Sequence, residues 1–352
     1  MHLGEPGSLV GNGSIVEGLL HVALAIVAFL LGAVTSLATS WVLVVRLERI
    51  GERLGLSEAL LGIVAALAAD APEITASISA LTQHQKAIGA GVVIGSNVFN
   101  LAALLGLGAL VAGFIGLHRK VVLLGGAVGF WVALVCLAAV EGVFSPAVSL
   151  VVALAVVVPY LVVLGLPDSG AGLLPLPTQA QRWITSAVDE EELELEVAIR
   201  PSRGRPIDAW TALGALAVVV VASVSMERGA FSLGRHFDIA DAVIGAIVLA
   251  VVTSLPNAVA AIHLARLGRG AAAFSTTLNS NNLNVLVGLL IPGVVLGLSA
   301  PSISGSLTAG WFVGLTALTL GLAYLARGLG KRAGWLIIVG YAAFVAVLVA
   351  TS

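Results

Sequence analysis

Ten separate stretches of the chain are apolar over about 20 residues or more, the length a helix needs to cross a hydrocarbon core of about 30 Å. They fall at residues 17–45, 58–82, 87–115, 121–141, 146–165, 207–228, 239–265, 271–298, 304–326 and 333–351. In lipid the backbone must satisfy its own hydrogen bonds, so such a chain is expected to fold as an all-α polytopic membrane protein. Composition agrees: 59% of the 352 residues are hydrophobic and 10% charged, where a soluble domain carries about 25% charged residues. The 17 basic and 19 acidic residues, net charge −2, leave no basic field for nucleic acid. No P-loop pattern is present, which argues against ATP-driven pumping. The single cysteine, Cys136, allows neither an internal disulfide nor a Cys-rich metal site and reads as a small buried hydrophobe. Residues 1–17 lack Lys and Arg and lead into the first apolar stretch, unlike a cleaved signal peptide.

One long polar stretch, residues 166–206, separates five spans (residues 1–165) from five more (residues 207–352). It carries an acidic run, Asp189 to Glu196, which reads as a solvated or helical linker; the alternative is a regulatory cation sensor, although the run lacks the glycine and spaced oxygens of an EF-hand loop. Basic residues mark the cytoplasmic side. Counted over alternate loops, 14 Lys and Arg fall on the side of the central linker and three, Lys86, Arg228 and Arg235, on the other. The linker is therefore expected in the cytoplasm and both termini outside. With five spans each, the two halves must insert with opposite orientation.

A repeat supports that arrangement. Pro72 and Pro256, Ser96 and Ser280, Asn97 and Asn281, and Asn100 and Asn284 are each separated by 184 positions. Inverted repeats are a common way for membrane transporters to build a site at the bilayer midplane. Both prolines fall inside a span, where each removes a backbone hydrogen bond and breaks or kinks the helix. The freed carbonyls are tolerated in lipid only where they are buried in protein or line a watered cavity, and there they suit cations. A lone proline would read as a plain kink; two in matched positions, each beside polar residues, favour broken helices at the midplane.

Asp70 and Glu73 are three apart, which places both carboxylates on one face of a helix. A charge at a helix centre costs about 2.5–3.5 kcal/mol on insertion scales, and no Lys or Arg lies at matching depth in nearby spans. A bound cation or bound protons are the natural partners, the alternative being a buried protonated acid bonded to a neighbouring helix. The equivalent face of the second half carries Thr253, Ser254 and Asn257, all neutral. Ca²⁺ takes about six to eight hard oxygens, which two acids, amide carbonyls, hydroxyls and unwound backbone can supply together. Asn97 and Asn281 are assigned to the same cavity. Helix–helix hydrogen bonding suffices for Asn100, Asn282 and Asn284, and Gly89, Gly91 and Gly95 serve close packing. Glu227, near the outer end of the sixth span, reads as a solvated acid, the alternative being a group that attracts cations, and His84, His118, His236 and His263 read as interfacial residues.

At these residues the sequence resembles the calcium/cation antiporter superfamily, in particular its sodium/calcium exchanger branch. That family carries two repeats, each with a Gly-Thr-Ser-x-Pro-Glu motif followed by Gly-Asn-x-x-Gly-Ser-Asn. The resemblance implies ten helices in two inverted five-helix repeats, and a Ca²⁺ and Na⁺ site drawing on Glu73, Ser96, Asn97, Thr253, Ser254, Ser280 and Asn281. Two departures stand out. Ala69-Asp70 replaces the Thr-Ser of the first motif, and Asn257 replaces the glutamate of the second, so both carboxylates belong to one half. Asp70 compensates for the missing glutamate in charge while changing its position.

The expected metal-site set is thus Asp70, Glu73, Ser96, Asn97, Thr253, Ser254, Asn257, Ser280 and Asn281. The expected activity is antiport of Ca²⁺ against Na⁺ or H⁺, with inorganic cations and the bilayer as partners and no covalent cofactor. Competing readings are an exchanger of another cation such as Na⁺ for H⁺, a passive channel, and an intramembrane enzyme using the two acids. The compact chain with short loops suits a prokaryotic inner membrane.

Overall fold

The computed structural model describes residues 10–54, 58–165, 177–196 and 204–352, which are helical almost throughout. In the first half α1 spans Val10–Leu54. Helices α2 (Glu58–Ala69) and α3 (Ala71–Thr82) meet at Asp70 with a bend of 52°. Helix α4 runs Lys86–Asn100 and continues through a π-helical stretch, Leu101–Leu107, into Gly108–Ala112. Helices α5 (Arg119–Val140) and α6 (Pro146–Gly165) complete the half. Inside the linker lies α7 (Thr178–Glu196), packed against α2, α5 and α11. The side chains of its acidic run fall outside the described residues, and so does the cation-sensor alternative.

The second half repeats the order. Helix α8 spans Pro206–His236, and α9 (Asp241–Thr253) and α10 (Leu255–Arg266) meet at Ser254 with a bend of 49°. Helix α11 runs Gly270–Leu283, a π-helical stretch Asn284–Leu290 and Ile291–Leu296. Helices α12 (Ile303–Ala326) and α13 (Lys331–Thr351) follow. A two-stranded antiparallel ribbon, β1 (Phe114–Gly116) with β2 (Gly328–Gly330), joins the turns after α4 and α12.

Among the described residues eight helices are long and apolar enough to cross a membrane, and the two bent pairs bring the spans to ten. The stretches at 58–82 and 239–265 are each two helices. Pro72 and Pro256 occupy the first turn of α3 and α10, the one helical position where a missing N–H costs nothing. Helices α1 and α8, of 45 and 31 residues, outrun the apolar stretches that mark them. Their polar ends, Arg46 to Arg53 and Arg228 to His236, do not register as hydropathy.

Helices α4 and α11 are the most enclosed spans, α1 and α13 the least. The main apolar core, including Val128, Phe274, Phe312 and Phe344, lies among α4, α5, α11, α12 and α13. Cys136 is buried in it, as expected. Gly95 lies so close to α9 that a Cβ there would stand 2.3 Å from the Ala246 carbonyl oxygen.

Helices α1 and α8 form a pair of their own at the edge of this core. A Cβ at Gly32 would lie 2.6 Å from the carbonyl oxygen of Ala222, and one at Gly229 would lie 2.7 Å from that of Ala25. Ser36 and Ser223 share a buried hydrogen bond of 2.7 Å. At one end Arg46 Nη1 donates to Asp208 Oδ1 at 2.6 Å.

Candidate ion site

The two helix breaks meet in the middle of the molecule. At Asp70 the ladder passes through the bend, Asp70 N–H donating to Ala66 O at 2.8 Å and Ile74 N–H to Asp70 O at 3.0 Å. Ser254 does the same in the other half, with Ser254 N–H to Ala250 O at 3.2 Å and Ala258 N–H to Ser254 O at 3.0 Å. The two acids therefore do not share the face of one straight helix: Asp70 stands at the hinge and Glu73 in the first turn of α3. The C-terminal ends of α2 and α9, the electronegative ends of those half-helices, arrive at the same place.

Asp70, Glu73, Ser254, Asn257 and Ser280 are brought together and are all buried. Asp70 Oδ1 accepts from Asn257 Nδ2 and from Ser280 Oγ, each at 2.6 Å. Glu73 Oε1 accepts from Ser254 Oγ at 2.8 Å. Both acids are thus held by the opposite repeat. Among the described residues neither carboxylate has a Lys, Arg or His ion-pair partner, and Asp70 Oδ2 and Glu73 Oε2 are buried without any hydrogen bond. Buried charges left unpaired cost several kcal/mol each, so the arrangement calls for a cation or protons.

Asn97 and Asn281 form the neighbouring layer. Asn97 Nδ2 donates to Asn281 O at 3.1 Å and Asn281 Nδ2 to Asn97 O at 3.2 Å, a reciprocal pair between α4 and α11. Asn100 Nδ2 donates to Asn281 Oδ1 at 3.0 Å and to Ser280 Oγ at 3.4 Å, which connects this layer to the acids. Its counterpart Asn284 donates to Asn97 Oδ1 at 3.3 Å. Asn100 and Asn284, assigned from sequence to helix–helix bonding, do make such bonds, but to the site's own residues. Their common offset of 184 is the signal that places them there.

Two expected members bond to backbone carbonyls rather than to the acids. Thr253 Oγ1 donates to the carbonyls of Leu249 at 2.9 Å and Ala250 at 3.3 Å, taking up backbone oxygens near the end of α9. Ser96 Oγ reaches only the Ala250 carbonyl, at 3.5 Å. Glu227 departs from expectation altogether: it is fully buried, and Oε2 accepts from Ser79 Oγ and Gln83 Nε2, each at 2.9 Å. Burial follows from the packing of α3 on α8, which no local pattern reveals.

A cavity of about 570 Å³ reaches the site from the end that holds Arg46 and Asp208. Trp41, Glu48, Ala69, Pro256, Asn257 and His263 line it. The donors in reach of the acids are carboxylate, amide and hydroxyl oxygens, a hard-oxygen set suited to Na⁺ or Ca²⁺ and unsuited to soft metals.

The sequence profile described as sodium/calcium exchanger protein matches residues 24–167 and 207–350, one stretch in each half. The inner membrane protein YrbG of Escherichia coli is 27% identical over 247 residues, 68% of this chain and 70% of that one. The human sodium/potassium/calcium exchanger 1 is 29% identical over 100 residues, which make up 28% of this chain and only 9% of that protein. Among solved structures, the sodium–calcium exchanger NCX_Mj soaked with zero Na⁺ and Ca²⁺ superposes with a TM-score of 0.57 at 23% identity, covering 93% of this chain and 99% of that one. The H⁺/Ca²⁺ exchanger CAX superposes with a TM-score of 0.67 at 14% identity, covering 96% and 90%. At such identities these structures establish the fold: ten membrane helices in two inverted five-helix repeats. The chain belongs to the sodium/calcium exchanger protein family, a family of membrane ion exchangers and not of enzymes.

Proposed function

We propose that the protein is a secondary-active cation antiporter that exchanges Ca²⁺ for Na⁺ or H⁺ at Asp70 and Glu73. The observation that carries this reading is the pair of buried carboxylates, free of any Lys or Arg partner among the described residues and faced by Ser254, Asn257 and Ser280 of the opposite repeat. Two negative charges balance one divalent ion. Asp70 Oδ2 and Glu73 Oε2, both without hydrogen bonds, are the first oxygens offered to it. Hydroxyl and amide oxygens bring the set toward the six to eight that Ca²⁺ takes. Na⁺ or protons compete for the same oxygens, which couples the two fluxes. Asn97, Asn281, Ser96 and Thr253 complete the proposed set, Asn97 and Asn281 by bracing α4 against α11, Ser96 and Thr253 by holding carbonyls of α9.

Access alternates as the α1–α8 pair slides along the rest of the molecule. The repeats are residues 1–165 and 207–352, joined by the linker 166–206. The 14-to-3 distribution of Lys and Arg supports a cytoplasmic linker and outward termini, so the cavity at Asn257 opens inward. The name of the E. coli relative supports a bacterial inner membrane.

Asn257 favours a second reading, exchange of a different cation, because it removes a carboxylate that the family motif carries. Uptake of radiolabelled Ca²⁺ into proteoliposomes under imposed Na⁺ or H⁺ gradients separates the two. Uptake driven by either gradient supports Ca²⁺ antiport. Uptake that ignores both gradients indicates a channel, and none at all with folded protein indicates another substrate.

A further inference from the structure

The α1–α8 pair is tied within itself by the Ser36–Ser223 and Arg46–Asp208 bonds and by the close approach at Gly32 and Gly229. Toward the other helices its surface is apolar, with Ala33, Met226 and Ala230 against Ala76, Ala80, Ile88 and Val92. Among the described residues the only hydrogen bonds that join the pair to any other helix are the two accepted by Glu227, from Ser79 and Gln83 of α3 and its C-terminal cap. Apolar surfaces slide past one another with little change in energy. A buried carboxylate that loses both donors does not, because bonds to charged groups are the strong ones and their loss leaves the charge bare.

The position of this tie is as telling as its uniqueness. Glu227 lies about 28 Å along α8 from Asp208, and Ser79 about 9 Å along α3 beyond Glu73, at 1.5 Å per residue. The bonds therefore lie toward the end of the molecule opposite the cavity. Glu227 Oε1 is buried with no partner, so this carboxylate is not a fully satisfied packing element.

We infer that Glu227 is a positioning residue for exchange: with Ser79 and Gln83 it latches the α1–α8 pair to α3, holds the outer end shut while the inner cavity is open, and must release both donors before the site can face outward. This inference rests on the proposed movement of α1 and α8. Its test is chosen to read that movement without requiring transport.

The full-length protein in proteoliposomes is given one reporter thiol, Ala80→Cys, on α3 beside the latch. Ala80 and the native Cys136 are both fully buried, so a charged, membrane-impermeant thiol reagent added outside reacts slowly at both positions. Glu227→Leu removes the acceptor and Ser79→Ala one donor. The latch requires outer labelling of the reporter thiol to rise about tenfold in the first and several-fold in the second. Glu227→Gln keeps an acceptor for the same donors but not the charge, and labels at a rate between the parent and Glu227→Leu. A second reporter, Ala260→Cys at the inner cavity and labelled by the same reagent sealed inside the vesicles, slows as the outer one accelerates. Cys136 stays unlabelled, which separates movement from unfolding; if Glu227→Leu fails that control, Ser79→Ala decides. Unchanged labelling of the outer reporter in a folded Ser79→Ala variant overturns the latch, as does equal labelling in the Gln and Leu variants. Failure of Ca²⁺ uptake in the parent, with the labelling pattern intact, would remove the proposed substrate and leave the latch standing.

Discussion

Asn257 Nδ2 donates to Asp70 Oδ1 across 2.6 Å, and the bond from Ser254 Oγ to Glu73 Oε1 is its counterpart under the repeat, because 70 and 254, like 73 and 257, are 184 apart. The first half contributes both acceptors and the second half both donors to a pair of crossed contacts. Both acids come from the first half. The symmetric frame thus holds an asymmetric charge, and exchange properties are expected to depend on where the two charges sit.

Glu73→Gln is expected to lower gradient-driven Ca²⁺ uptake by at least about a hundredfold, since removing one partner of a buried charge interaction costs about 3–5 kcal/mol. The apo protein is expected to be no less stable, because the substitution removes a buried charge that lacks an ionic partner. Ca²⁺-dependent stabilisation, about 2.7 kcal/mol at a hundredfold excess over Kd, is lost. Thermal unfolding with and without Ca²⁺ measures both effects.

Exchanging the partners tests whether charge count or charge position matters. Asp70→Asn and Asn257→Asp singly change the site charge by one unit in opposite directions, whereas the double variant keeps two charges and a donor–acceptor pair at the same place. The double variant is expected to recover uptake to within about tenfold of the parent and above Asp70→Asn alone. The coupling energy of the cycle is expected to fall in the range of about 0.5–3 kcal/mol seen for contacting residues.

Much of this site is legible in the sequence because its residues recur at one offset. Asp70, Glu73, Ser254, Asn257 and Ser280 do converge, and the two prolines mark the breaks. The orientations of Thr253 and Ser96 are not legible, since a hydroxyl in a helix can turn either to a cavity or to the carbonyl one turn back. Thr253 takes the second course. The burial of Glu227 is hidden for a different reason. Beside Arg228 and near a span end it has the local pattern of a solvated acid, and only the docking of α3 on α8 buries it. The full lengths of α1 and α8 are hidden because their ends are polar.

Binding of Ca²⁺ displaces any proton on Asp70 or Glu73, so apparent affinity is expected to fall as pH falls, by up to about tenfold per pH unit for each proton displaced. The dependence is expected to weaken in Asp70→Asn. Ca²⁺ titrations at several pH values in detergent, without any gradient, give the slope directly.

Gly32→Val and Gly229→Val place side-chain atoms where a Cβ already meets backbone at 2.6 and 2.7 Å. Each is expected to destabilise the protein by about 1–3 kcal/mol through overpacking and to slow exchange. Equilibrium Ca²⁺ binding is expected to be spared, because neither glycine is a member of the ion site. Parallel binding and flux measurements check that separation.

The most direct test of the central claim is anomalous scattering from crystals of the protein soaked in Ca²⁺. A peak is expected between Asp70 Oδ2 and Glu73 Oε2, at about 2.3–2.6 Å from each, and none there in Glu73→Gln crystals. A strong Ca²⁺ peak elsewhere with these two oxygens uncoordinated, or an unchanged peak in Glu73→Gln, would contradict the assignment of the site.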